Sequence, residues 1–161
     1  KYMDTNAITG VLGVRQETFD NKFYPSARTF PAPRHILYRR LAFIDNINKS
    51  KVLRLHHYDF GEVAAPRTVD YVIGAFQLVK KEIFDKIGLL DEKMFYGFED
   101  AEFCARARKK GYNVVYYPSF TIKHYVQAMT RKKLMNVKAM RFLFYHFKSY
   151  LRFYRIHHDL L

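Results

Sequence analysis

Residues 69–111 read VDYVIGAFQLVKKEIFDKIGLLDEKMFYGFEDAEFCARARKKG, and strand and helix patterns alternate along this stretch. The β-branched and aromatic residues over 69–79 predict a strand with the small pair Gly74–Ala75 at its centre. A glycine inside a strand pattern usually marks a bend, or the close approach of a ligand or another backbone. The pair therefore indicates either a bend in the strand or a close approach at this position.

Two helices are predicted after this strand, over residues 80–87 and 99–110. Each is followed by a glycine, Gly88 or Gly111, and glycine favours the left-handed turn that ends a helix. Strands that alternate with helices are typical of the α/β class. The sequence therefore predicts an α/β fold.

Further strands are predicted on both sides of this stretch, over 11–14, over 113–117 with Pro118 closing it, and over 120–124. The number of strands is low for a complete doubly wound sheet. We therefore expect part of a larger α/β domain. The remaining segments before the central stretch are predicted as an extended loop, a short helix and an irregular surface region, over residues 20–34, 35–44 and 45–68 respectively.

Charge and composition narrow the classes of partner. The chain has 161 residues and a net charge of +13, which favours anionic partners such as nucleic acid, phospholipid headgroups or phosphorylated substrates. Cys104 is the only cysteine, which excludes an intramolecular disulfide framework and fits a reducing compartment. No apolar run approaches the roughly 20 residues that span a bilayer. The first residue is Lys1, so we expect a piece of a longer protein.

An acidic pair, Glu99–Asp100, opens the second predicted helix and follows an apolar and aromatic flank over 93–98. Carboxylates at a helix start are commonly explained by the helix dipole and by capping of free N–H groups. A carboxylate at the mouth of a cleft can alternatively serve as a general base. Glu102 and Arg106 have the spacing of a helical ion pair.

Two single residues bear on metal and thiol chemistry. His124 ends a predicted strand, where a lone histidine is more often a hydrogen-bonded structural group than a metal ligand. Cys104 lies in the middle of a predicted helix with no histidine close to it in sequence. We expect Cys104 to pack as a small apolar residue.

Several spaced blocks together resemble family 2 glycosyltransferases, and in particular the bacterial rhamnosyltransferase-like group that builds cell-surface polysaccharides. The blocks lie at 69–82, 87–95, 99–112 and 116–118, followed by His124. The resemblance implies a GT-A fold, a Rossmann-like α/β sandwich of nucleotide-diphospho-sugar transferases. It also implies transfer of a sugar from a nucleotide-sugar to an acceptor hydroxyl, with inversion at the anomeric carbon.

The resemblance implies roles for individual residues. Asp100 matches the general base that deprotonates the acceptor, and Glu99 matches the acid that orients this base or contacts the acceptor. Gly74–Ala75 matches the small residues beneath the sugar and acceptor, and Asp91 matches a substrate-binding position. His124 matches a histidine that helps hold a divalent metal, Mg²⁺ or Mn²⁺, on the diphosphate.

One departure from the family pattern is large, because the sequence contains no Asp-x-Asp metal motif. In the family this motif and the nucleotide-binding half precede the region matched here. The sequence therefore predicts an acceptor-side half over 1–128 that is inactive alone, followed by a basic aromatic helical extension over 129–161. The expected partners are a nucleotide-sugar donor and a saccharide or lipid-linked saccharide acceptor, and the expected location is the cytoplasm or the inner face of the cell membrane. An unpaired sheet edge also invites self-association.

The extension is predicted to be helical over 131–155, with an apolar stripe flanked by basic residues. The stripe consists of Val137, Met140, Phe144, Phe147, Leu151 and Tyr154. The stripe either packs on the domain or lies on anionic lipid, and a nucleic-acid surface is the least favoured reading. The alternative to a transferase is thus a non-catalytic basic module that binds anionic membrane or nucleic acid.

Overall fold

The computed structural model describes residues 1–40, 63–125 and 137–161. Its strands are β1 (Thr9–Glu17), β2 (Phe23–Tyr24), β3 (Ala27–Arg28), β4 (Arg67–Val69), β5 (Tyr71–Val72), β6 (Leu78–Val79) and β7 (Asn113–Lys123). Its helices are α1 (Tyr2–Thr5), α2 (Pro33–Arg40), α3 (Lys81–Ile87), α4 (Glu99–Lys109) and α5 (Val137–His157), and a 3-10 turn follows at His158–Leu160. This mixture of helices and strands confirms the predicted α/β class.

Strand β1 is central to the main sheet. It pairs in parallel with β7 along its length and antiparallel with β2 and β6, while β4 pairs antiparallel with the other side of β7. Val11 of β1 and Val114 of β7 are both fully buried. Such burial is what a central strand covered on both faces requires. Strands β3 and β5 form a separate two-stranded sheet beside it.

The strand predicted over 69–79 is wrong as a single element. The structure divides this segment among β4, β5 and β6, and places Gly74–Ala75 in a turn between the last two. Asp70, between β4 and β5, accepts a hydrogen bond from the Phe30 backbone N–H at 3.1 Å and contacts the Arg108 guanidinium. These tertiary contacts interrupt a sequence whose local composition favours an unbroken strand.

The two strands predicted over 113–117 and 120–124 instead form the single strand β7. The pairing with β1 shifts register between Tyr117 and Thr121, and residues 118–120 have no partner on β1. Pro118 begins this bulge because proline has no N–H to donate to the ladder. The proline therefore interrupts the pairing with β1 without ending the strand.

Helices α3 and α4 lie where the sequence predicts them. Gly88 and Gly111, which follow these helices, adopt φ values of 77° and 84°. Left-handed values of this kind favour glycine, which explains why both helices end there. Cys104 of α4 is fully buried in the hydrophobic core, so the prediction that it packs as a small apolar residue is confirmed.

The other predicted segments are described only in part. The helix predicted over 35–44 is seen as α2, which ends at Arg40 among the described residues. Residues 41–62 and 126–136 lie outside the described residues. Most of the irregular region predicted over 45–68 and the first six residues of the helix predicted over 131–155 therefore lie outside them as well.

Helix α5 packs on the domain with a face other than the predicted stripe. Its buried side includes Tyr150 and Phe153, which share one core with Phe98 and Phe103. The five stripe residues whose side chains are described are 41–63% exposed: Met140, Phe144, Phe147, Leu151 and Tyr154. Both faces of α5 carry aromatic residues, so periodicity alone does not select the buried one.

A substitution of Gly13 tests the contact between the two sheets. A Cβ atom at Gly13 would lie 2.5 Å from Cβ of the fully buried Val72. We expect Gly13→Ala to lower the free energy of unfolding by about 2–3 kcal/mol, because the added methyl group overpacks the core. Urea denaturation measures this change. The control is Gly74→Ala, whose nearest contact of 3.6 Å is ordinary and whose cost we expect to be below about 0.5 kcal/mol. Equal stability of the two variants would contradict this packing.

Candidate active site

The site begins at an unusual backbone turn before α4. Gly97 and Phe98 have φ values of 79° and 70°, and Phe98 is one of two described non-glycine residues with positive φ. The buried Phe98 ring packs against His146 and Tyr150, with ring centroids 4.6 and 5.4 Å apart. Such packing offsets the strain of a left-handed phenylalanine. This turn sets the direction in which α4 begins, and with it the positions of Glu99 and Asp100.

Asp100, in the first turn of α4, joins this helix to the turn at Gly74. Its Oδ2 accepts a hydrogen bond from the Gly74 N–H at 2.9 Å, and its Oδ1 accepts one from the Ala101 N–H at 2.7 Å. A simple capping role does not account for the bond to Gly74, because that residue belongs to another segment of the chain. The carboxylate therefore lies beside an exposed, side-chain-free surface.

Glu99 lies beside the same glycine. A Cβ atom at Gly74 would lie 3.9 Å from Asp100 Oδ2 and 4.0 Å from Glu99 Oε1, so both carboxyl groups converge on this point. The Oε2 atom of Glu99 is buried without a hydrogen-bond partner. Burial and the neighbouring charge of Asp100 raise the pKa of Glu99 to about 7. The pair can therefore hold or release a proton near neutral pH.

The charge on Asp100 is set by opposing effects. Burial raises the pKa of Asp100, whereas the N–H groups of Gly74 and Ala101 and the charge of Arg28 lower it. Burial prevails, so the pKa lies above the ordinary aspartate value. Each carboxylate oxygen has a second lone pair beyond the one used by the backbone. Asp100 can thus still accept a proton from a bound hydroxyl.

Arg28 is a basic residue of this site that sequence reasoning missed. Burial alone would lower its pKa, but Tyr71, Tyr24 and Asp100 raise the pKa above its ordinary value. Its Nε is buried without a hydrogen-bond partner. The residue lies in the segment 20–34, which the sequence predicts as a loop. Sequence patterns do not indicate this role, because Arg28 is positioned by pairing with Tyr71, which is distant in sequence, across β3 and β5.

His124 packs against Tyr24. Its ring stands edge-on to Tyr24 with centroids 5.5 Å apart, and its Nδ1 is buried without a hydrogen-bond partner. Burial lowers the pKa of His124, which favours the neutral imidazole that a metal ligand requires. Among the described residues, however, no cluster of three His, Cys, Asp or Glu side chains could hold a metal. One imidazole does not make a metal site, so the role of His124 as a ligand stays a prediction.

Asp91 contacts helix α5 and its own loop. Its carboxylate pairs with Arg152 Nε of α5 at 2.5 Å and accepts a hydrogen bond from the Lys93 N–H at 3.0 Å. Burial is the largest single effect and opposes ionisation, but the hydrogen bonds and charges of Arg152 and Lys93 together outweigh it and lower the pKa of Asp91. These contacts join a loop to α5.

Of the predicted site residues, the structure brings together Gly74, Ala75, Glu99 and Asp100.

The raised pKa of Glu99 predicts a pH dependence of stability. Between the ordinary value of 4.5 and about 7, the folded chain binds more protons than the unfolded chain, so stability falls as pH rises through this window. We expect Glu99→Gln to remove this part of the pH dependence. At pH 8 the variant should be more stable than the wild type by about 1–3 kcal/mol, measured by urea denaturation from pH 5 to about 8. Identical pH profiles for the two proteins would contradict the raised pKa.

Two curated proteins with similarity to the chain both transfer sugars. Rhamnosyltransferase WbbL of Escherichia coli is 29% identical over 128 residues, which cover 80% of this chain and 43% of that protein. Low-salt glycan biosynthesis hexosyltransferase Agl10 of Haloferax volcanii is 35% identical over 48 residues, which cover 30% of this chain and 16% of that protein. The chain thus spans less than half the length of either relative. No protein-family model matches the chain.

Proposed function

We propose that this chain is the acceptor-side part of an inverting family 2 glycosyltransferase with a GT-A fold, and that Asp100 is its general base. The observation that carries the proposal is the 2.9 Å hydrogen bond from Gly74 N–H to Asp100 Oδ2, which sets the acidic pair beside an exposed turn. The similarity to two sugar transferases supports the type of reaction.

The proposed reaction is an in-line displacement at the anomeric carbon of the donor. The acceptor hydroxyl gives its proton to the Asp100 carboxylate while its oxygen forms the new bond to the anomeric carbon. The bond from that carbon to the diphosphate oxygen breaks on the opposite face, and its electron pair leaves with the diphosphate. One displacement inverts the anomeric configuration.

The neighbouring residues have supporting roles in this proposal. Glu99 holds the acceptor or shares the proton, since its carboxyl group converges with Asp100 on Gly74. Arg28 stabilises the ionised form of Asp100. The absence of a side chain at Gly74 and the small Ala75 leave room for a sugar hydroxyl to approach the acidic pair. These four residues and Asp100 thus form one acceptor subsite.

The partners of the whole protein belong to the same proposal. They are a nucleotide-sugar donor, bound largely by residues outside this chain, and a saccharide or lipid-linked saccharide acceptor in the cytoplasm. In such an enzyme Mg²⁺ or Mn²⁺ neutralises the leaving diphosphate. The described residues do not supply a complete site for this ion, so we assign no step to it.

The proposal is tested by product analysis. The full-length protein that contains this chain is incubated with a panel of nucleotide-sugars and a saccharide acceptor, and the anomeric configuration of each product is determined by NMR. We expect one donor to yield a product of inverted configuration, and the 161-residue chain alone to yield none. A product of retained configuration, or comparable turnover by the chain alone, would contradict the proposal.

A further inference from the structure

The exposed side of α5 carries two apolar rows and one basic row. Met140, Phe147 and Tyr154 form one row and Phe144 and Leu151 the next, each with a seven-residue repeat along the helix. These five side chains are 41–63% exposed. We call them the α5 stripe. Large apolar side chains that lie together in solvent mark an interaction surface.

The orientation of the α5 stripe is fixed by the opposite side of the helix. Phe153 is fully buried and Tyr150 is 7% exposed, and both pack against Phe98. Arg152 binds Asp91, and Glu102 of α4 contacts His157. These contacts hold the helix so that the stripe faces outward.

The basic row lies directly beside the stripe. Arg141, Lys148 and Arg155 recur every seven residues, each one position after a residue of the first apolar row. All three are exposed. Among the described residues, neither Lys148 nor Arg155 has a carboxylate partner. Positive charge along one edge of an apolar surface complements an anionic, partly apolar occupant.

We propose that the α5 stripe and its basic row dock on the surface of an anionic lipid bilayer, with the helix lying in the plane of the interface. The apolar rows enter the boundary between headgroups and acyl chains, and the basic row contacts anionic headgroups. None of the described helices is long and apolar enough to cross a membrane. This inference stands independently of sugar transfer.

The charge pattern argues against two other occupants, an antiparallel second copy and nucleic acid. An antiparallel pairing of two copies through the stripe would bring the two basic rows face to face, and like charges there repel. A nucleic-acid backbone would use the basic row but would leave the apolar rows in water. A bilayer surface can bury the apolar rows and contact the basic row at the same time.

Vesicle co-sedimentation of the chain tests the proposal. Each basic residue near an anionic leaflet strengthens binding roughly five-fold, so three predict about 100-fold tighter binding to phosphatidylcholine vesicles with about one third phosphatidylglycerol than to phosphatidylcholine alone. Raised salt should weaken this preference. Equal binding to the two kinds of vesicle would overturn the proposal, and this result needs no variant.

Matched variants separate the stripe from overall charge. We expect K148E with R155E to remove most of the anionic preference, whereas K81E with K110E, which makes the same change in net charge elsewhere, should leave most of it. Phe144→Gln with Leu151→Gln should weaken binding more than ten-fold, unlike Ile8→Gln with Leu78→Gln, which are also exposed. All these positions are exposed, and circular dichroism checks the fold.

Three results would show that the α5 stripe and its basic row do not serve to bind a bilayer. Equal losses in K148E/R155E and K81E/K110E would show a general charge effect. Tighter binding to duplex or single-stranded DNA than to anionic vesicles at the same salt would indicate a nucleic-acid surface. A dimer in lipid-free solution that Phe144→Gln with Leu151→Gln dissociates would indicate an interface between copies. Each would overturn the proposal.

Discussion

Asp100→Asn in the full-length protein is expected to lower the rate of sugar transfer by about 10²–10⁴-fold, because the amide has no basic oxygen to take the acceptor proton. Affinity for the nucleotide-sugar should stay within about two-fold, since the variant removes an interaction that matters in the transition state. Transfer is measured at saturating donor, and donor affinity by calorimetry on the same preparation.

The control for this variant must account for a lost hydrogen bond. The Asn amide can no longer accept from both Gly74 N–H and Ala101 N–H, which costs stability as well as activity. Asp70→Asn is the matched control, because Asp70 also accepts from a backbone N–H, that of Phe30. We expect Asp70→Asn to lower stability and to retain transfer. More than about a tenth of wild-type transfer in Asp100→Asn would show that Asp100 is not the base.

Glu102→Ala is expected to lower the free energy of unfolding by about 3–5 kcal/mol, because it leaves the Arg106 guanidinium half-buried without its charge partner. The Glu102 side chain is 4% exposed, and its oxygens lie 2.8 Å from Nε and Nη2 of Arg106. Its Oε1 also lies 3.4 Å from His157 Nε2 of α5. Burial opposes ionisation, but His157 and Arg106 outweigh it and lower the pKa of Glu102. Urea denaturation at neutral pH measures the effect.

A second ion pair between the same two parts of the chain provides the control. Lys109 of α4 lies 2.8 Å from Asp159, just after α5, but both side chains are at least one-third exposed. Exposed pairs contribute little, so Asp159→Ala should cost less than about 1 kcal/mol. If Glu102→Ala cost no more than Asp159→Ala, the buried network would not stabilise the contact between α4 and α5.

Local patterns predicted α3 and α4 well because the signals for these elements lie within them. The apolar spacing defines each helix, and Gly88 and Gly111 end them with left-handed backbone angles. The ion pair between Glu102 and Arg106 follows from the same spacing and is confirmed at 2.8 Å. These features depend on few contacts distant in sequence.

The interruption of 69–79 and the position of Arg28 could not be predicted in this way. Asp70 is held by the Phe30 N–H, which is 40 residues distant in sequence, and Arg28 pairs with Tyr71 across β3 and β5. The approach of Asp100 to Gly74 agrees with the roles that the family resemblance implies, because it implies a base at Asp100 and small residues beneath the acceptor at Gly74–Ala75. Residue spacing alone did not imply it.

In helix α5 the apolar periodicity is compatible with two different buried faces. The predicted stripe has regular three- and four-residue spacing, yet the face with Tyr150 and Phe153 is the one that reaches the core. The choice depends on Phe98, whose position is set by the turn before α4. Only the tertiary structure shows which face is left in solvent.

The pH dependence of a single turnover, measured with the full-length protein and saturating donor and acceptor, tests the role of the acidic pair most directly. The base must be ionised, so the rate should fall as pH drops through its pKa, which burial raises above the ordinary aspartate value. We expect an acid limb in the wild type whose midpoint lies above the ordinary aspartate value of 3.8, and no such limb in the residual rate of Asp100→Asn. The same limb in both proteins would contradict the account, because the titrating base would then lie elsewhere.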